Sequence, residues 1–162
     1  MSRFFEKISF KQFKKDIGDN KKLYNEIELP KRSTKNSAGY DIKSIEHGII
    51  KPGEARNFKT GLKVCMNSDE VLYIFSRSSY AYKYNVCLMN NVGVIDSDFY
   101  NNVGNEGHMW FALQNEGDKT FIIKKGESFG QGIFIKYFVV DDEEDIENVR
   151  IGGFGSTNER DG

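Results

Sequence analysis

The fold is decided by a pattern of short apolar runs that is clearest in residues 86–100, VCLMNNVGVIDSDFY. The run 86–89 has the length of a buried strand, and the asparagine pair that follows it marks a turn. A second apolar piece comes after the turn and ends at the carboxylates of Asp96 and Asp98. This stretch predicts a β-hairpin that carries acidic groups at its end.

The same kind of run recurs along most of the chain, separated by glycine, asparagine and aspartate. Short β-branched and aromatic runs occupy residues 49–50, 62–66, 71–75, 111–114, 120–123 and 132–140. Many short strands at this spacing are typical of an all-β barrel or sandwich. Before residue 23, Ser9 and Gln12 have the S-x-x-Q form of a capping box, which predicts a short helix through Phe13 to Ile17. The sequence therefore predicts one all-β domain preceded by a short helix.

The composition argues against several classes of function. The chain has 162 residues, enough for one domain with a substantial core, and its net charge is −1, from 23 Lys and Arg against 24 Asp and Glu. That balance does not support binding to nucleic acid, which favours a basic surplus. We expect no membrane span and no secretory leader, because the apolar runs are short and no charged-then-apolar segment opens the chain. Cys65 and Cys87 fit buried free thiols in a reducing cytoplasm, and the isolated His47 and His108 support neither a zinc site nor a histidine-based triad.

Five short polar elements stand out from the apolar pattern, and each has a structural as well as a functional interpretation. They are Gly39 with Asp41, Ser76-Arg77-Ser78-Ser79, the 90–100 hairpin, residues 126–131, and Arg150 with the tail 152–157. A guanidinium beside two hydroxyls can bind phosphate or simply cap a strand. The hairpin can present backbone groups to a flat base, with Asp96 as a base towards water, or it can be a surface turn. The tail offers hydroxyls and one aromatic ring to a nucleotide, or it is a solvated end.

In this order and spacing, the five elements resemble the five motifs of the homotrimeric dUTP diphosphatases (dUTPases). The resemblance extends from Glu28 to Thr157, and its most specific pieces are GVIDSD (residues 93–98) and GGFGST (residues 152–157). It implies a jelly-roll-like distorted β-barrel with a flexible glycine-rich C-terminal arm, assembled as a trimer in which each active site draws on all three subunits. The chain then divides into an N-terminal extension (1–22), the barrel (23–145) and the arm (146–162).

The resemblance also implies a reaction and a set of residues. Family members hydrolyse dUTP at the α-phosphorus to dUMP and pyrophosphate, with Mg²⁺ bound by the phosphates and water rather than by protein side chains. Asp96 is then the catalytic carboxylate, which binds the 3′-hydroxyl and orients or deprotonates the attacking water. The other implied residues are Arg77 supporting Asp96, Gln131 at the α-phosphate, Ser78 and Ser79 on the phosphate chain, Asn90, Gly93 and Ile95 in the hairpin that reads uracil, Phe99 under the deoxyribose, Phe154 stacked on uracil, Arg150, Ser156 and Thr157 at the γ-phosphate, and Asp41 as a structural support.

This chain departs from the family pattern at several positions. Ser128 stands where the fourth motif usually has an arginine, so that contact is lost or supplied elsewhere. Arg150 is one residue closer to the glycine pair than is common, which weakens triphosphate binding if its side chain cannot reach the γ-phosphate. Asn158 replaces a frequent glycine. Phe99 and Tyr100 are both candidates for the ring under the sugar, and the spacing favours Phe99.

Two other functions are open to this sequence. A dCTP deaminase shares the fold but needs a glutamate on the strand after the hairpin, where this chain has Ala112, so we expect no deamination. A nucleotide-gated regulatory protein on the same fold is the second alternative, suggested by the unmatched residues 1–22 and the atypical residues 101–107. The main prediction is a cytoplasmic homotrimer that hydrolyses dUTP and binds neither nucleic acid nor a membrane.

Overall fold

The computed structural model describes residues 3–144 and 150–153. Within them the chain forms short strands and helices, in the order β1 (Phe4–Lys7), α1 (Phe10–Asp16), α2 (Lys21–Glu26), β2 (Tyr40–Lys43), β3 (Gly48–Ile50), β4 (Ala55–Lys59), β5 (Leu62–Cys65), β6 (Glu70–Ser76), α3 (Ser78–Tyr84), β7 (Val86–Leu88), β8 (Gly93–Asp96), a 3-10 turn (Ser97–Phe99), β9 (Trp110–Asn115), β10 (Phe121–Ile123) and β11 (Ser128–Lys136). The prediction of an all-β fold with a short N-terminal helix is confirmed. None of the helices in this part of the chain is long and apolar enough to cross a membrane.

The strands form two larger sheets and two pairs. One sheet has the order β2-β11-β6-β8 and the other β4-β9-β7, while β1 pairs with β5 and β3 with β10. Strand β9 illustrates how the sequence pattern produces a strand. Every second side chain along it is buried, including Phe111 and Leu113 in the core. Aromatic rings join the two larger sheets: the ring centroid of Phe129 on β11 lies 4.9 Å from that of Phe111 and 5.5 Å from that of Phe58 on β4.

The hairpin predicted around residues 86–96 is wrong in its pairing. Both apolar pieces are strands and a turn joins them, with Asn91 in the left-handed region at a φ of 62°. However, β7 pairs with β9, and β8 pairs with β6 in the other sheet. The turn therefore carries the chain from one sheet to the other. Alternation identifies a strand, but the choice of partner depends on which distant strand can cover its apolar face.

The last strand is shifted from its predicted position at residues 132–140. Strand β11 begins at Ser128, and Gly130 lets its backbone lie against the Phe111 ring, where an added Cβ would be 2.4 Å from a ring carbon. The strand ends at Lys136, and the apolar residues after it are outside the core, with Phe138 97% exposed. The prediction extended the strand to residue 140 because apolar residues continue to alternate there, but these side chains are exposed.

The N-terminal segment is packed onto the barrel. Phe5 on β1 and Phe13 on α1 are buried, and β1 pairs with β5. Ser9 caps α1 as predicted, since its hydroxyl accepts from the backbone N–H of Gln12 at 3.1 Å, but the Gln12 side chain donates to Asp16 instead of returning to Ser9. The division of the chain at residues 22 and 23 stays a prediction, although the described part of the extension does not lie apart from the barrel.

Candidate active site

A cavity of about 510 Å³ opens beside β8, which is within the size range of small-molecule sites. Six of the residues proposed from the sequence line it: Asn90, Gly93, Ile95, Asp96, Phe99 and Arg150. The local stretch from residue 90 to residue 99 thus supplies most of them, because a strand and the turns at its ends keep neighbouring residues together. The cavity wall is otherwise largely apolar.

Strand β8 presents Asp96 at its last position. Asp96 lies opposite Val71 in the antiparallel register with β6, and its side chain is 47% exposed. The Arg150 side chain binds it, with 2.5 Å between Arg150 Nη2 and Asp96 Oδ2, and the same guanidinium donates from Nε to Asp98 Oδ1 at 2.6 Å. A carboxylate at the end of a strand and beside an apolar cavity can act as a base once the guanidinium no longer occupies it.

The two rings left open by the sequence have different surroundings. Phe99 is 8% exposed and lines the cavity. Tyr100 is not among the lining residues, and its hydroxyl donates to the Glu6 carboxylate, a hydrogen bond that raises the pKa of Tyr100 to about 12. This geometry supports Phe99 rather than Tyr100 as the ring that faces a ligand.

Residues 150–153 lie across one side of the cavity. The Ile151 carbonyl accepts from the Gly104 N–H at 3.1 Å. Gly153 lies so close to Phe99 that a Cβ there would be 2.5 Å from a carbon of the Phe99 ring, which explains why glycine is needed at this point. The proposed ligand contacts of Phe154, Ser156 and Thr157 fall outside the described residues, as does Asn158.

The remaining proposed residues form a second group at the other end of the β2-β11-β6-β8 sheet. Arg77 precedes α3, and its Nη1 donates to the Ser128 carbonyl at 3.2 Å, so a guanidinium does lie next to the position where the family arginine is missing. Ser78 and Ser79 begin α3. Gln131 on β11 lies opposite Asp41 on β2. The Asp41 carboxylate accepts from the Ser33 hydroxyl, which fits a structural role.

Gly39 permits the position of Gln131. A Cβ on Gly39 would lie 2.1 Å from Gln131 Oε1, so any larger residue would displace that amide. The sequence pattern identified Gly39 as a site of close backbone approach, and the group it accommodates is a proposed ligand of the α-phosphate.

The two groups do not meet within one chain. Asp96 lies opposite Val71 and Gln131 opposite Phe75, on the two sides of β6. Val71 and Phe75 are four residues apart, so at about 3.3 Å per residue they are separated by about 13 Å along β6. Asp96 and Gln131 are further apart than this, because their strands lie on opposite sides of β6. Arg77 and the two serines follow directly after Ser76, at the end of β6 that pairs with Gly130 and Gln131. A single chain therefore brings Asp96 close to Phe99 and Arg150, and not to Arg77, Ser78, Ser79 or Gln131.

Sequence reasoning missed part of the cavity wall. Trp110 lines it from β9, beside Ala112, which the comparison with the deaminases already assigns to the site, and His108 and Met109 line it from the segment just before that strand. Alternation along β9 was the available signal, because Trp110 and Ala112 lie on the face opposite the buried Phe111 and Leu113. His108 could not be assigned in this way, because its partners are far away in the sequence.

His108 is fully buried and bonded at both nitrogens. Its Nε2 accepts from the Gly61 N–H at 2.8 Å, so the neutral ring carries its proton on Nδ1, which lies 2.6 Å from Asp16 Oδ2. Burial lowers the pKa of His108, and the hydrogen bond with Asp16 offsets this only in part. Protonation would require Gly61 N–H to lose its acceptor.

This arrangement predicts a loss of stability in mild acid. Because the pKa of His108 is lower in the folded than in the unfolded chain, its contribution is present above about pH 6.5 and is lost as the pH falls below that value. For one proton, the free energy of unfolding can change by at most about 1.4 kcal/mol per pH unit. The charged groups that act on the ring are Asp16, Lys59 and Glu106, and none of them is changed in the comparison that follows.

The measurement is the free energy of unfolding in urea between pH 7.5 and pH 5. The wild-type value is expected to fall with pH, and His108→Gln is expected to fall less steeply, because glutamine can accept from Gly61 without titrating. His47 is exposed, so His47→Gln serves as the matched control and should keep the wild-type slope. Equal slopes for the wild type and His108→Gln would contradict the prediction.

The described residues do not fit a resident metal ion. In residues 3–144 and 150–153, no three His, Cys, Asp or Glu side chains are grouped so that they could bind one. The two carboxylates beside the cavity, Asp96 and Asp98, bind Arg150 instead.

Comparison with known proteins identifies close relatives. The dUTPase family model matches residues 25–158. A deoxyuridine 5′-triphosphate nucleotidohydrolase of Lactococcus lactis subsp. lactis (strain IL1403) is 49% identical over 132 residues, which cover 81% of this chain and 88% of the relative. A protein of the same description from Nautilia profundicola is 36% identical over 141 residues, covering 85% and 95%. The crystal structure of dUTPase from Streptococcus mutans matches with a TM-score of 0.71 and 40% identity, covering 85% of this chain and 98% of the other.

Proposed function

The chain belongs to the dUTPase family and hydrolyses dUTP, and from this premise we propose that Asp96 activates the water that attacks the α-phosphorus. The observation that carries the proposal is the position of its carboxylate, at the end of β8 beside the cavity that Phe99 lines. The water oxygen bonds to the α-phosphorus as its proton passes to Asp96. The bond from the α-phosphorus to the bridging oxygen breaks, and pyrophosphate leaves dUMP behind.

Arg150 has two competing partners in this mechanism. In the structure it binds Asp96 and Asp98. The Asp96 oxygen that accepts from this guanidinium is occupied and cannot accept a proton from water at the same time. A triphosphate offers the guanidinium a more highly charged partner with suitable geometry. We propose that Arg150 moves to the γ-phosphate when the nucleotide binds, which frees Asp96 to accept a proton.

The shape of the cavity supports discrimination of base and sugar. Asn90, Gly93 and Ile95 can present backbone groups to the edge of uracil, and the Phe99 ring can pack under the deoxyribose, where it leaves no space for a 2′-hydroxyl. Among the described residues that line the cavity, Asp96 is the one carboxylate, and Ala112 provides no proton shuttle. A deaminase would need a second acidic group, so this lining supports hydrolysis over deamination.

Two features of the proposal depend on partners of the chain. Mg²⁺ is proposed to enter on the phosphates, where it would neutralise their charge. A homotrimer is proposed because the catalytic carboxylate and the phosphate-binding group of one chain lie apart, so that neighbouring copies can bring Asp96 of one chain to Gln131, Ser78 and Ser79 of another. Arg77 would support Asp96 in the same way, across the contact between copies.

We propose a cytoplasmic location for this enzyme.

The proposal predicts a specific substrate profile. Pyrophosphate release from the purified protein with Mg²⁺ is expected with dUTP and to be at least about a hundredfold slower with dTTP, dCTP or UTP, because each of these adds or changes a group that the cavity excludes. The four nucleotides are compared in parallel at equal concentration. Absence of release from dUTP while it still binds would contradict hydrolysis and favour the regulatory alternative. Formation of dUTP from dCTP would show that the assignment of Ala112 is wrong.

A further inference from the structure

The loop formed by residues 100–108 adopts a backbone that needs external support. Asn101 and Glu106 are in the left-handed region at φ values of 56° and 60°, which costs free energy for residues other than glycine. The Asn102 side chain organises the loop from inside, donating to the Phe99 carbonyl at 2.7 Å and accepting from the Gly104 and Asn105 N–H groups at 3.0 Å each. Such conformations persist where the surrounding structure fixes them.

The N-terminal segment, residues 4–16, supplies much of that support. The Ser9 N–H and hydroxyl donate to the two Glu106 carboxylate oxygens at 2.8 and 2.5 Å. Lys15 Nζ donates to the Gly104 carbonyl at 3.2 Å. At the start of the loop, the Tyr100 hydroxyl donates to Glu6. The 100–108 loop therefore contacts the N-terminal segment at its beginning, its middle and its end.

The contact at the end of the loop is the buried one. His108 is fully buried between Asp16 on α1 and the Gly61 N–H. A hydrogen bond shielded from water is stronger and more sensitive to distance than an exposed one. Asp16 itself does not line the cavity. Its carboxylate can act on the cavity through His108, which lines it.

The loop in turn determines where the Phe99 ring lies. The Phe99 carbonyl is bonded by Asn102, and Gly107 approaches it so closely that a Cβ on Gly107 would be 2.6 Å from that oxygen. The ring of Phe99 faces the cavity, and His108 lines the same cavity. A shift of the 100–108 loop would therefore move the ring that faces the sugar.

We propose that the N-terminal segment is a positioning element for sugar discrimination, with Asp16 as its main positioning residue. Through His108 and the 100–108 loop it fixes the Phe99 ring at the distance that admits deoxyribose and rejects ribose. The proposal rests on the proposed function, because it takes Phe99 to be the ring that packs under the sugar. It assigns a role to a segment that lies outside residues 25–158, the region that the family model matches. It also gives the two segments that suggested a regulatory partner, residues 1–22 and 101–107, a role towards each other.

The test is the ratio of kcat/KM for dUTP to kcat/KM for UTP, measured at high enzyme concentration. Asp16→Ala is expected to lower this ratio at least about tenfold, because a misplacement of about 1 Å in a positioning group has effects of up to a hundredfold. Asp16→Asn keeps an oxygen that can accept from His108 Nδ1 and is expected to restore most of the ratio. Asp19→Ala is the matched control: Asp19 is exposed, pairs with Lys14, and should leave the ratio unchanged.

The ratio separates positioning from a general structural role. Partial unfolding lowers the activity towards both nucleotides by the same factor, so it does not move the ratio. An unchanged ratio in folded Asp16→Ala, or an equal change in Asp19→Ala, overturns the inference. If Asp16→Ala does not fold, Lys15→Ala decides, since it removes an exposed contact with the Gly104 carbonyl without uncapping α1 and should lower the ratio about two- to threefold. A wild-type protein that releases no pyrophosphate from dUTP would instead contradict the proposed function.

Discussion

Replacement of Asp96 by asparagine is expected to lower kcat for dUTP by a factor of about 10² to 10⁴, the usual range for removal of a general base. The amide has almost the same size, so the register between β6 and β8 should be retained. It can still accept a hydrogen bond from the 3′-hydroxyl, but it cannot take a proton from water at neutral pH. We therefore expect nucleotide binding to remain within about tenfold of the wild type while turnover is lost. The measurement is kcat and KM from pyrophosphate release, with a calorimetric titration of a non-hydrolysable dUTP analogue.

Asp98→Asn is the matched control for this prediction. Asp98 binds the same guanidinium as Asp96 and its side chain is exposed to a similar extent, 57% against 47%, but its carboxylate is not part of the proposed catalytic group. It should therefore retain most of the wild-type kcat. Equal losses in the two variants would mean that the change acts through Arg150 rather than through a lost base. A kcat near that of the wild type in Asp96→Asn would remove Asp96 from its proposed role.

The sequence predicts features that depend on a few adjacent residues, such as a helix cap, better than features that depend on contacts between distant strands. The helix near residue 13 was found because a cap is a property of a few adjacent residues, and the structure has α1 at Phe10–Asp16 with Ser9 as its cap. Helices α2 and α3 have six and seven residues, too few to establish a helical period, and they were missed. The pairing of β7 and β8 was mispredicted because alternation says which face is buried and not which strand covers it.

The same limit applies to the site. Asn90, Asp96 and Phe99 are close in sequence, and the cavity brings them together. His108 was interpreted as an isolated histidine, yet its partner Asp16 lies 92 positions away, a separation at which sequence alone carries no sign of contact. The family resemblance put Arg77 and Asp96 in one site, whereas a single chain keeps them apart. The proposed assembly of copies would bring the two together, and no local pattern encodes such an assembly.

Removal of the C-terminal arm from residue 150 onward is expected to lower kcat/KM for dUTP by about a hundredfold or more. Two effects oppose each other in this truncation. Asp96 loses its ion pair with Arg150 and becomes available as a base, but the triphosphate loses a guanidinium, and water enters the site. Hydrogen bonds to charged groups contribute about 1.5–3 kcal/mol each, so loss of Arg150 from a phosphate outweighs the release of one exposed carboxylate.

A second truncation, of residues 154–162, separates the contribution of Arg150 from that of the end of the arm. It keeps Ile151 bonded to Gly104, and Gly153 against Phe99, while it removes Phe154, Ser156 and Thr157. This variant is expected to lose about tenfold in kcat/KM, mainly through a higher KM, since stacking of one base on an aromatic ring contributes about 1–3 kcal/mol. Both truncated proteins should elute as the wild type does in size-exclusion chromatography. Full activity in the longer deletion would leave the arm without a role. If instead the longer deletion were more active than the shorter one, the net effect of Arg150 would be inhibitory, and its proposed transfer to the γ-phosphate would be wrong.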